Sequence, residues 1–268
     1  MRCFISSVLF AGFAASANAQ VALSVAPIRL ELTGQAAENL SDSISVTNEG
    51  SEKVRIRVRV SDWLIAEDGA VQFDPSEPVK LGCTPWIRVN PREFELNAGQ
   101  STQVRYTLDI PKEAPASGFR SSILFETIPA PMRGERKRSV LFQGRIATLV
   151  YLVVGKVAPN GKLIAMEASS TKTGTSIQIK VENIGQVHFR TAGTVQVLDA
   201  GGKVLIDEPV GDLPVLPEGI RRIEIKSAKA LEPGNYKAQV RLNVGMPAVL
   251  VGEKPFTVAP EASPKPPQ

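Results

Sequence analysis

Along most of the chain, apolar and polar residues alternate with a period of two. The clearest run is 54–60, where Val54, Ile56, Val58 and Val60 share one face and Arg55, Arg57 and Arg59 share the other. Such a run predicts a β-strand with one face in a core and one in water, as antiparallel sheets have. The stretches "SISVTN" (43–48), "KVRIRVRVSDW" (53–63), "PWIRV" (85–89), "TQVRYTLDI" (102–110) and "SSILFET" (121–127) read the same way. Between them lie turn signals: Asn48-Glu49-Gly50, Asp68-Gly69 and Asn97-Ala98-Gly99. No window carries a helical stripe. The first strand falls in "SVAPIRLELTG" (24–34), with Ile28, Leu30 and Leu32 on one face and Arg29 and Glu31 on the other. Arg29 has two readings there: a wet-face residue paired with Glu31 or water, or a cation held for an acidic ligand.

After a break at "APNGK" (158–162) the alternation resumes in 175–183, 193–207, 219–226 and 234–242. Gly201-Gly202 reads as a hairpin turn and Pro233-Gly234 as a type II turn. The segment has the length of one immunoglobulin-like sandwich, about 100 residues. The expected fold is therefore all-β, with two immunoglobulin-like β-sandwich domains in series over 20–157 and 158–258 and a Pro-rich tail over 259–268.

One segment departs from the alternation. "SVLFQGRIATLVYLVVGKV" (139–157) is apolar on both parities from Ile146 to Val154. A sandwich strand needs one apolar face, so something must cover the second. Two covers are open: the second domain, which begins directly afterwards, or an exported partner. Just ahead lies a basic loop, "PAPMRGERKRS" (129–139), which on its own reads as a solvated charge run.

The N-terminus, "MRCFISSVLFAGFAASANAQ", has one cation, an apolar stretch and an Ala17-Asn18-Ala19 cleavage pattern. It reads as a secretory signal peptide over 1–19, so the chain is expected to be exported. No later apolar run reaches the roughly 18 residues of a membrane span, so no stable membrane insertion is expected. The formal net charge of +4 is scattered rather than concentrated, which argues against nucleic acid as a partner. Cys3 leaves with the signal peptide and Cys83 then stands alone, so no internal disulfide and no zinc site are expected. The single histidine, His188, has no second member of a triad and reads as a strand or turn residue. No nucleophile elbow, P-loop or dinucleotide fingerprint is present. The chain is accordingly read as non-enzymatic, with no cofactor and no metal.

Taken in order, "VAPIRLEL", "ISVTNEGSEKVRIRVRVSDW", "PWIRVNPREFELNAGQSTQVRYTLDIP", "SSILFETIP", a variable basic loop and "GRIATLVYLVV" resemble the N-terminal domain of periplasmic pilus-assembly chaperones of the chaperone–usher pathway. The resemblance spans roughly 22–156, and "NPREFELNAGQS" carries it best. It implies a periplasmic protein that stabilises a pilus or fimbrial subunit by donating a strand, with an outer-membrane usher as a further partner. On that resemblance Val140, Leu141 and Phe142 would offer donor side chains. Arg29 and Arg145 would be cleft cations anchoring the subunit's terminal carboxylate. The chain departs from the family where the usual aromatic-Arg-Pro ending of the donor strand is replaced by "LVYLVVGKV", and Gly144 is a place where a bulge would shift the parity of Arg145. The second half resembles immunoglobulin-like modules of bacterial surface proteins. That likeness keeps a second function open, a non-catalytic cell-surface or cell-wall adhesion module.

Overall fold

The computed structural model describes residues 22–129 and 143–260. The signal-peptide reading, the last eight residues, and Val140, Leu141 and Phe142 lie outside these described residues. The first half is built from β1 (Leu23–Ala26), β2 (Arg29–Gly34), β3 (Asn39–Asn48), β4 (Val54–Ser61), β5 (Trp63–Ile65), β6 (Val71–Phe73), β7 (Ile87–Asn90), β8 (Glu93–Leu96), β9 (Ser101–Asp109), β10 (Ser117–Ile128) and β11 (Arg145–Val154). One sheet has the order β1-β3-β9-β7 and faces a second of order β2-β11-β10-β4-β8. The alternation seen in the sequence fills the space between them: Ile44, Val46, Ile56, Val58, Val104 and Phe125 are buried there.

The second half contains β12 (Gly161–Thr171), β13 (Gly174–Asn183), β14 (Phe189–Asp199), β15 (Val204–Val215), β16 (Ile220–Ser227), β17 (Gly234–Asn243) and β18 (Leu250–Val258). Its sheets run β12-β13-β16 and β15-β14-β17-β18 around a separate core that includes Ile177, Ile179, Val195, Val197, Val240 and Leu242. The fold is two β-sandwiches in series, as the periodicity requires.

Three local expectations change. The single first strand is two: β1 pairs with β3, whereas β2 pairs in parallel with β11, so the chain crosses from one sheet to the other at Pro27–Ile28. Pro233-Gly234 is not a type II turn. Gly234 opens β17 without the positive φ that such a turn needs. The chain is fastened there by the Tyr236 hydroxyl, which donates to the Glu232 carbonyl at 2.7 Å. Gly144 hosts no bulge, because the β10–β11 ladder runs without interruption from Glu126↔Arg145 to Ser117↔Val154.

The two sandwiches share a device that "VTNEG" and "VENIG" encode. Asn48 and Asn183 end β3 and β13 with no solvent exposure. The Asn183 Nδ2 donates to the Val187 and Val215 carbonyls at 2.9 Å each, while its Oδ1 accepts from the Gly185 amide. Asn48 repeats the pattern with Glu52, Leu96 and Gly50. Each amide closes a corner whose carbonyls would otherwise be buried without donors.

Replacing Asn183 by leucine keeps the volume and removes all three bonds, so stability should fall by about 2–4 kcal/mol, the cost of leaving buried carbonyls unpaired. The urea midpoint reads this out; a loss below about 1 kcal/mol would mean that water takes over the amide's role.

Candidate functional site

The five-stranded sheet of the first sandwich buries both of its faces near β10 and β11. On β10, Phe119, Ile123 and Phe125 point into the core. Residues of the other parity, Arg120, Ser122, Leu124 and Glu126, are also buried, on the outer face. The same holds for β11, where Val150, Leu152 and Val154 serve the core while Tyr151 is 1% exposed on the outer side.

The cover of that outer face belongs to the chain itself. Trp63, Tyr151 and Leu216 form a third apolar cluster between the sandwiches, with Ile65, Phe73 and Leu149 packed against it. Trp63 and Tyr151 meet edge to face at 5.3 Å, an arrangement worth about 1 kcal/mol beyond the area buried. The Trp63 indole donates to the Ser121 carbonyl at 2.8 Å. Of the two covers open for the second face of β11, the second domain together with the β5–β6 hairpin takes Leu149 and Tyr151. Polar contacts reinforce the junction: the Gly118 amide donates to the Gln186 carbonyl at 2.7 Å, and Lys180 lies 2.7 Å from Glu67 on the hairpin turn.

Upstream of Leu149 the situation differs. The parallel ladder with β2 begins at Leu149↔Arg29, where the Leu149 amide donates to the Ile28 carbonyl at 3.0 Å. The stretch Arg145–Thr148 has β10 on one side and, among the described residues, no strand on the other. Backbone groups alternate in direction along a strand, and the Gly144 carbonyl faces β10, where it accepts from the Thr127 amide. Arg145 and Ala147 therefore direct their N–H and C=O groups outward from a sheet edge. Ile28, beside the point where β2 takes over that edge, is 68% exposed.

Arg29 and Arg145 rise from the same outer face, flanking this edge. They are not brought together. Arg145 is four positions ahead of Leu149, the residue opposite Arg29, which is about 13 Å along a strand. Their guanidinium groups turn to different carboxylates. Arg29 lies 3.3 Å from Glu31 and 3.5 Å from Asp212 of the second domain. Arg145 lies 2.7 Å from Glu126 and 3.4 Å from Asp74.

The cation that shares both carboxylates of Arg145 is Arg59, read in the sequence only as a wet-face residue. Arg59 grips Asp74 with both terminal nitrogens at 2.6 Å, and Glu126 at 3.0–3.1 Å through Nε and Nη2. The Asp74 hydrogen bonds to Arg59, helped by the Ser61 hydroxyl, hold its carboxyl far below the usual carboxylate range. Glu126, with its side chain only 8% exposed, is held low by the same arginine. A glutamate inside the apolar run "SSILFET" was the one sequence signal of this cluster.

At the Arg29 end, Glu31 meets the second domain. Its Oε2 lies 3.0 Å from His188 Nε2, and the histidine ring packs on Tyr151 at 4.5 Å. Arg190 sits 4.0 Å from Glu31 and bonds to Asp212 at 2.5 Å. Burial pushes the His188 pKa below its ordinary 6.5, assisted by Arg190 and Arg29 and opposed by Glu31. Cys83 is wholly buried, and burial pushes its thiol up to about 12, which makes it an inert core residue. Among the described residues no group of three or more His, Cys, Asp or Glu could hold a metal ion, and no helix is long and apolar enough to cross a membrane.

No protein-family model matches the sequence, and neither does any curated protein. Solved structures do align with it, among them fimbrial chaperones. The class 5 fimbriae chaperone CfaA is 15% identical over 87% of this chain and 99% of its own, with a TM-score of 0.46. The SafB chaperone in complex with the SafA pilin, from Salmonella enterica, is 14% identical over 90% and 99%, with a TM-score of 0.45. The E. coli chaperone DraB is 15% identical over 89% and 98%, with a TM-score of 0.42.

His188 is favoured neutral in the folded chain, so its contribution is complete above its ordinary pKa of 6.5 and is lost as the pH falls below that value. The low-pKa carboxylates Asp74 and Glu126 yield only in stronger acid. Urea unfolding at pH 7.5 and 5.5 should therefore show wild type losing more stability than His188→Gln, which keeps a donor to Glu31. Equal losses would take His188 out of the interface's pH response.

Proposed function

We propose that the chain is a periplasmic chaperone that shelters an incomplete β-sandwich subunit of an extracellular fibre by adding the edge of β11 to it. The edge at Arg145–Thr148, which no other strand among the described residues pairs, is the observation that carries this reading. It offers ladder groups to a guest strand, with β2 terminating the site at Arg29. A subunit lacking one strand has the complementary need, unpaired backbone groups beside an uncovered apolar groove. Val140, Leu141 and Phe142, immediately ahead of β11 in sequence, would extend the donated strand with apolar side chains. Arg29 and Arg145 would meet guest carboxylates at the two ends of the edge. An usher would then receive the loaded complex.

The second reading, a non-catalytic adhesion module, draws on the covering of Leu149 and Tyr151 by the second domain. On that reading the apolar strand serves only the joint between the sandwiches.

A photo-crosslinking residue at Ala147 decides between them. On the chaperone reading it captures, from the periplasm, an exported chain whose own sandwich lacks a strand, and the same probe at Thr107, on the opposite sheet, does not. Changing Arg29 and Arg145 together to glutamate should lower the yield at least tenfold without lowering the melting temperature by more than a few degrees. Capture of a complete domain, or equal capture from both positions, would favour the adhesion module.

A further inference from the structure

The chain's single histidine stands where the two sandwiches meet, in a setting of mixed charge. The His188 side chain is 11% exposed, its ring packs on Tyr151 at 4.5 Å, and its Nε2 lies 3.0 Å from Glu31 of β2. A carboxylate only accepts hydrogen bonds, so Nε2 carries the proton of the neutral ring and acid adds a second at Nδ1. Each element packed around the ring brings a charged or titratable group: Arg29 and Glu31 from β2, Arg120 from β10, Tyr151 from β11, Arg190 from β14 and Asp212 from β15. Burial keeps the Tyr151 phenol protonated. Among the described residues the ring therefore faces more guanidinium groups than carboxylates.

Both carboxylates are already engaged. Glu31 lies 3.3 Å from Arg29 and 4.0 Å from Arg190, while Asp212 lies 2.5 Å from Arg190 and 3.5 Å from Arg29. Arg190 Nη1 is buried without a hydrogen-bond partner, so positive charge is in surplus before any proton is added. A cationic His188 would share Glu31 with two arginines, and a buried charge without a partner of its own is strongly disfavoured. Burial accordingly holds the His188 pKa below its ordinary 6.5. The other flank of the joint has no histidine. There the Arg222 amide donates to the Glu67 carbonyl at 2.7 Å, and Lys180 lies 2.7 Å from the Glu67 carboxylate. Gly69 sits so close to Arg221 that a Cβ would meet Nη1 at 1.8 Å. The hydrogen bond from Lys180 holds the Glu67 carboxyl below its ordinary range, so this flank keeps its charges in mild acid.

We propose that the joint between the sandwiches is a one-sided acid latch: protonation of His188 parts β2 from β14 and β15, while the β5–β6 hairpin keeps its hold on β16 and serves as the hinge. The direction follows from linkage. The closed joint prefers the neutral ring, whereas the open joint, with water at the ring, has no such preference. Acid below pH 6.5 therefore shifts the population toward the open form. Opening brings water to Tyr151 on the His188 side, while Trp63 stays under the hairpin and neither sandwich unfolds. The inference concerns the joint alone and goes beyond the strand-adding reading, which it does not need.

The test uses the mature, untagged protein, in which His188 is the only histidine and Cys83 is too deeply buried to take a label. Spin labels at Thr33 and Pro209 span the His188 flank, and labels at Ala70 and Lys226 span the hairpin flank; all four residues are exposed. Between pH 7.5 and 5.0, pulsed electron resonance should show the first distance lengthening by about 5 Å, one strand spacing, and the second unchanged. The midpoint should coincide with the NMR titration of the His188 ring. His188→Gln, which keeps a donor for Glu31, should stay closed at pH 5.0. Equal lengthening at both flanks, no lengthening at the first, a midpoint away from the ring's titration, or the same opening in His188→Gln would each overturn the latch. The coincidence of midpoints is read in wild type, so it stands even if the variant folds poorly. An absent crosslink at Ala147 bears on strand addition and leaves the latch standing.

Discussion

The constraint on which this structure turns is that β11 is apolar on both faces. A strand in a single sandwich leaves one face to water; this one cannot do so without exposing Leu149, Tyr151 and Val153. The protein answers with its own material along the downstream half, where the second sandwich and the β5–β6 hairpin close over Tyr151. The position of the second domain, the burial of Trp63 and the junction through Gln186 and Glu67 all follow from covering that face. Hydrophobic burial thus fixes the relation between the sandwiches, while the hydrogen bonds and ion pairs around it set register more than energy.

The same strand is treated differently along its edge. Downstream, β2 pairs with it in parallel; upstream, the ladder groups of Arg145 and Ala147 face outward. A sheet edge left beside exposed apolar surface is a liability that proteins usually blunt with charge. Here the charge is present, but it is arranged in matched sets. Arg29 is balanced across the domain joint by Asp212 and beside it by Glu31, and Arg145 by Glu126 and Asp74. Cations that are already neutralised attract anions only weakly at long range.

How much of this was legible in the chain depends on the range of the interactions involved. The alternation of 54–60, 102–110 and 175–183 placed strands and their core faces, because the side-chain period of a strand is local and needs no knowledge of neighbours. Strands with interrupted alternation were missed for physical reasons. β12 has a register shift between Leu163 and Ala165, and β18 carries Pro255, which an edge strand tolerates. The doubly apolar character of 146–154 was visible, as were the two alternative covers, but not that the second domain and the β5–β6 hairpin close over Leu149 and Tyr151.

The candidate site divides in the same way. Sequence by itself determined that the chain is a pair of β-sandwiches, that β11 needs a cover for a second apolar face, and that Arg29 lies on a face turned from the core; the face of Arg145 was left open by a segment apolar on both parities. Only the tertiary structure decided that these two arginines stand four positions apart with separate carboxylates, that Arg59 is the neighbour of Arg145, and that Asp74 closes the cluster. Those facts depend on the pairing of β4, β10 and β11 and on a hairpin folding back over them. Contacts between residues 15 to 71 positions apart leave no periodic trace in a sequence, because a charge is read the same way whether water or another strand will meet it.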